Sequence, residues 1–90
     1  MVARREVVLT PGERAQLEEA RDHDPRPQVR ERCAAVLKVA DGQSAHDVAR
    51  HGLLKPRKPD TVYWWLDLYE RDGLFWLKRR LHGGDRRRGL

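Results

Sequence analysis

The sequence predicts an all-α chain: a small bundle of about four helices followed by a basic C-terminal tail. Three observations carry that prediction. Helix-start signals recur between proline and glycine breaks, apolar residues repeat at helical spacing, and no alternating run is long enough to anchor a sheet. With 90 residues, the chain has room for one small domain, which buries only roughly 60% of its unfolded surface. A deep catalytic cleft is not expected.

Each helix announces itself locally. Thr10, Pro11 and Glu13 supply a capping threonine, a proline at the first helical position and a returning carboxylate, which predicts a helix over about 11 to 22. Pro25 and Pro27 break it. Val29, Cys33, Val36, Leu37 and Ala40 then form one apolar stripe, stopped by Asp41 and Gly42. Ser44 and Asp47 open a short third helix, with His51 and Gly52 read as a left-handed-tolerant end. Residues 53 to 58 form a basic connector whose Leu53 and Leu54 plug the core. Pro59 starts a fourth helix, and Val62, Trp65, Leu66 and Tyr69 form its buried face. Trp64 and Leu68 make a second stripe, and residues 74 to 77 are expected to fold back on the core. Val7, Val8 and Leu9 are too few to found a sheet.

Charge is distributed unevenly. The formal charge is +5, yet residues 1 to 70 hold 12 basic and 12 acidic side chains. Residues 71 to 90 hold 7 basic and 2 acidic ones, so the last stretch supplies the entire excess. Basic tails commonly engage phosphate backbones. All six large rings, Tyr63, Trp64, Trp65, Tyr69, Phe75 and Trp76, fall within one segment. The expected division is a folded domain over 1–81 and a flexible basic tail over 82–90.

Other chemistries find little footing. The single cysteine, Cys33, lies on an apolar stripe and reads as a buried small hydrophobe. Four histidines without a second cysteine or spaced carboxylates make no metal set. No nucleophile and base pair or phosphate-cradling glycine loop is present, so neither enzyme activity nor a cofactor is expected. Glu18, Glu19 and Asp22 read as a solvated helix face. No run approaches the roughly 18 apolar residues of a membrane span, and residues 1 to 6 lead into no apolar stretch of signal-peptide length. A cytoplasmic location without membrane association is expected.

A capped two-turn helix, a connector carrying glycine and a longer helix, behind two preceding helices, follow the grammar of a helix-turn-helix. Duplex DNA binding is the leading expectation, with the fourth helix in the major groove. Asp60, Thr61, Tyr63 and Trp64 then lie nearest the base edges. Lys55, Arg57 and Lys58 meet phosphate before the helix start. Lys78, Arg79 and Arg80, with Arg86, Arg87 and Arg88, follow the backbone or enter an adjacent minor groove.

The chain also resembles the N-terminal helix-turn-helix domain of mariner-related bacterial insertion-sequence transposases. The resemblance runs over roughly 7 to 80. It rests on the order of Leu9 to Arg14, Arg30 to Arg32, Asp41 to Ser44, Asp47 to Arg50, Thr61 and Val62, Trp65, and Gly73 and Leu74. It implies a homeodomain-like fold that binds terminal inverted repeats, with 44 to 51 as supporting helix and 59 to 69 as recognition helix. The role is then a DNA-end-binding domain of a transposase-like system or a small transcription regulator. The chain departs from the family in two respects. The 53 to 58 connector is longer than the family's tight turn, and Tyr63, Trp64 and Asp67 stand where arginines are frequent. The chain also stops where the acidic catalytic domain would begin, so strand transfer is not expected of it.

The alternative, from a different class, is a protein-interaction or dimerisation module. There Tyr63, Trp64, Leu68 and Trp76 form an exposed aromatic face for a homodimer or protein partner. Stacking of single-stranded nucleic acid on the same rings ranks below duplex binding.

Overall fold

The computed structural model describes residues 6–53 and 55–74, among which four helices and no strand occur. They are α1 (Pro11–His23), α2 (Pro27–Ala40), α3 (Ala45–His51) and α4 (Pro59–Asp72). The all-α expectation holds element by element. The first and last helices each run slightly past the predicted end, to His23 and Asp72.

Local chemistry fixes the ends. The Glu13 N–H donates to the Thr10 hydroxyl at 3.1 Å and the Thr10 N–H donates to the Glu13 carboxylate at 2.9 Å, completing the capping box. Ser44 caps α3 by accepting from the Asp47 N–H at 3.0 Å. α2 and α4 lack a side-chain cap but begin on Pro27 and Pro59, whose fixed φ suits the first helical turn. Gly73 closes α4 at φ 70°, a left-handed conformation that favours glycine.

α2 is the hub, packing against α1, α3 and α4. Seven of its 14 residues are buried: Val29, Arg32, Cys33, Ala35, Val36, Leu37 and Val39. The other helices bring narrower stripes. α1 contributes Leu17 and Ala20, α3 contributes Ala45, Val48 and Ala49, and α4 contributes Val62, Trp65, Leu66 and Tyr69. Burying each large aliphatic among them is worth about 1.5–3 kcal/mol. Cys33 is fully buried, in keeping with its expected role as a small hydrophobe. Leu53 and Leu74 pack on the core, while Leu54 and residues 75 to 77 lie outside the described residues. Residues 6 to 10 are extended, with Val7 turned into the core and Val8 90% exposed.

With only two buried residues, α1 relies on polar ties at both ends. The Asp24 carboxylate accepts from the Arg26 N–H at 2.9 Å and from its guanidinium, while the Asp24 carbonyl accepts from Arg30 at 2.7 Å. This Asx-type turn reverses the chain between α1 and α2. At the other end Arg14 pairs with Asp41, and that hydrogen bond raises the arginine's already high pKa. No helix among the described residues is long and apolar enough to cross a membrane.

Tyr69 converts its burial into a pH dependence. Loss of hydration, reinforced by the Glu13 charge, raises its phenol above the usual 10.0. The folded state therefore holds this proton more tightly than the unfolded one. That contribution is fully present below pH 10 and is lost as pH rises through the folded-state pKa. Tyr69→Phe is expected to flatten the fall in stability above about pH 10, as measured by urea unfolding across the alkaline range. An unchanged slope would show that Tyr69 is not the group responsible.

Candidate nucleic-acid interface

α3 and α4 meet through small residues. Ala45, Val48 and Ala49 allow close approach, and Tyr63 of α4 meets His46 of α3 edge-on, with ring centroids 6.0 Å apart and planes at 76°. Tyr63 is half-buried in this contact and packs on the core. It cannot present its whole ring to a partner.

The connector between the two helices is anchored twice by one residue. The Arg57 N–H donates to the Ala49 carbonyl at 2.7 Å. Its guanidinium donates two bonds of 2.8 Å to the two oxygens of Glu31 on α2. Glu31 is mostly buried, with side-chain exposure of 18% against 41% for Arg57. The hydrogen bonds to Glu31 raise the Arg57 pKa further, although desolvation opposes them. Arg57, expected on phosphate, thus has its charge matched within the protein and fixes the connector one residue before Lys58, the N-cap of α4.

Gly52 also departs from the sequence reading. It adopts φ −92°, ordinary right-handed backbone rather than the left-handed helix end expected there. Close approach favours glycine here: a Cβ would lie 3.0 Å from the Val48 Cα and 3.2 Å from the Lys38 side chain. Lys38 belongs to α2, so this contact seats the end of α3 on the hub.

Lys55 and Lys58 are exposed on either side of Arg57, and Asp60 is exposed in the first turn of α4. Thr61 is half-buried, its N–H donating to the Lys58 carbonyl at 3.0 Å. Trp64 is 49% exposed. Asp60, Trp64, Asp67 and Arg71 recur at helical spacing and are all exposed, so the outward stripe of α4 carries two carboxylates around one indole. Lys78, Arg79, Arg80, Arg86, Arg87 and Arg88 lie outside the described residues.

The expected aromatic face is narrower in the structure. Leu68 is only 6% exposed and Tyr63 is engaged by His46, which leaves Trp64 as the open member; Trp76 lies outside the described residues. Sequence reasoning passed over Arg50 and His51, both exposed at the end of α3, and Arg21 and Arg30, which share a groove with Lys55 and Arg57. Arg50 and His51 carried a signal, being basic residues in the last helical turn. The arrival of Arg30 opposite the connector is a tertiary fact.

Neither protein-family models, nor curated proteins, nor solved structures give a match to this chain.

Two measurements probe this anchoring. Gly52→Ala is expected to lower stability by roughly 1–3 kcal/mol through overpacking, whereas Gly12→Ala, with nothing within 4 Å of its Cβ, is expected to be neutral or mildly stabilising. Equal behaviour of the two in urea unfolding would contradict the close-approach account. In a double-mutant cycle, Arg57→Ala and Glu31→Ala are expected to couple by about 0.5–1 kcal/mol, the solvent-screened range for such a pair. Strict additivity would mean that the clamp contributes nothing.

Proposed function

We propose that the chain is a duplex DNA-binding protein of the helix-turn-helix kind, acting as a DNA-end-binding domain of a transposase-like system or as a small transcription regulator. The observation that carries this is the anchored connector. Held by Arg57 to both α2 and α3, it ends on the exposed Lys58 at the N-cap of α4, where the helix dipole and first-turn N–H groups also favour phosphate, and it carries the exposed Lys55 three residues earlier. Arg50 adds a third exposed cation at the end of α3.

The carboxylates on α4 constrain how it meets a duplex. Asp67 lies about two turns along the helix, where a side-on approach brings it towards the phosphate wall and costs repulsion. End-on entry avoids this and puts Asp60, Thr61 and Trp64 at the base edges. There a carboxylate accepts from the cytosine amino group and an indole contacts the thymine methyl. The lysines position the protein, and the first turn of α4 supplies the sequence preference. The basic residues of 78 to 88 extend the phosphate contacts.

The specific observation favouring a second reading is the half-exposed Trp64, which suits a protein partner or a second copy of the chain. Salt dependence separates the two. For duplex binding, log affinity falls with log salt at a slope of about −0.9 per neutralised phosphate, and Lys55→Gln with Lys58→Gln makes the slope shallower by roughly 0.9 for each phosphate that is no longer neutralised. Fluorescence anisotropy on a labelled random duplex measures both. Affinity indifferent to salt, or a slope untouched by the lysine changes, would contradict the proposed interface.

A further inference from the structure

Between the first turns of α2 and the end of α3 with its connector lies a groove of about 700 Å³, within the range of small-molecule sites. Its floor is apolar, formed by Pro27, Ala34 and Leu53. Four cationic side chains line it: Arg21 from α1, Arg30 from α2, and Lys55 and Arg57 from the connector. Two of these charges are already matched. Arg21 pairs with Asp22 at 2.8 Å, and Arg57 pairs with Glu31 inside the groove.

The other two differ. Arg30 donates to the Asp24 carbonyl, which is neutral, and Lys55 forms no ion pair among the described residues. Two cations from separate elements thus line one half-enclosed groove, neither of them paired with a carboxylate among the described residues. We propose that this groove binds a small organic carboxylate. The carboxylate bridges Arg30 and Lys55, and its hydrocarbon or aryl body lies on Ala34 and Leu53. Arg57 on Glu31 already displays the geometry in which a carboxylate is held at this wall. A free phosphate is the poorer occupant, because it leaves the apolar floor uncovered.

Carboxylate binding here does not depend on duplex binding. If the duplex interface is also correct, the ligand and a DNA phosphate compete for Lys55, so the carboxylate weakens DNA binding.

The test is a titration of the full ¹⁵N-labelled chain with phenylacetate, read from amide chemical shifts. Phenylacetamide serves as the uncharged match and inorganic phosphate as the bare anion. Saturable shifts confined to residues 27 to 34 and 51 to 57 are expected with phenylacetate, and affinity for the other two is expected to be weaker by about tenfold or more, the loss of one charge-assisted hydrogen bond. Lys55→Gln, on an exposed side chain, is expected to weaken phenylacetate by a similar factor. Ala34→Leu is expected to block it by filling the floor, with the remaining amide spectrum retained. Equal binding of the amide, equal binding of phosphate, an unaffected Lys55→Gln variant, or the absence of saturable shifts would each overturn the proposal.

Discussion

Every other part of the fold leans on the burial of α2. A helix that touches only one neighbour needs a single apolar stripe, but this one packs against three and hides Ala35 and Val39 as well as the Val29, Cys33 and Val36 line. Because α2 packs on α1, α3 and α4, and α3 and α4 also pack on each other, each of those helices needs only a narrow apolar stripe. The domain is too small for a second core. Small residues at Ala35, Ala45 and Ala49 keep the helices close where larger ones would hold them apart.

On that hub, a few polar contacts decide geometry rather than overall stability. Asp24 sets the reversal between α1 and α2, and Arg57 sets the distance between α3 and the start of α4. An exposed ion pair is worth little, but the pairing of Arg57 with the mostly buried Glu31 is bidentate and is reinforced by a main-chain bond to Ala49. The connector is thereby held at Arg57 to both α2 and α3. The same arrangement carries basic side chains on either side of Arg57, Lys58 at the start of α4 and Lys55 lining the groove against α2.

Much of this fold could be read from residues three or four apart. The Thr10 and Ser44 caps, Pro11, Pro27 and Pro59 at helix starts, and the Val62, Trp65, Leu66 and Tyr69 face are local signals whose physics is complete within one or two turns. Errors arose where tertiary packing decided the outcome. Gly52 signalled a left-handed end, yet its backbone is right-handed and glycine is favoured there because Lys38 and Val48 crowd it. Leu68, grouped with Trp64 by spacing, is buried while Trp64 stays open. Arg32 lies beside an apolar stripe and is carried inside with it, and desolvation lowers its pKa. The partnership of Arg57 with Glu31 spans 26 positions, and no local pattern announces a pair so far apart. For that reason the basic connector was legible as charge but not as a clamp.

Duplex binding of the proposed kind requires that the connector and the first turn of α4 form one DNA-facing end of the molecule. Amide chemical shifts of the labelled chain, followed while a random-sequence duplex is added at moderate salt, test this most directly. Perturbations are expected to cluster over residues 50 to 64, with residues 11 to 20 of α1 unaffected. Perturbations centred on α1, or none at all at a duplex concentration that saturates the anisotropy signal, would contradict it.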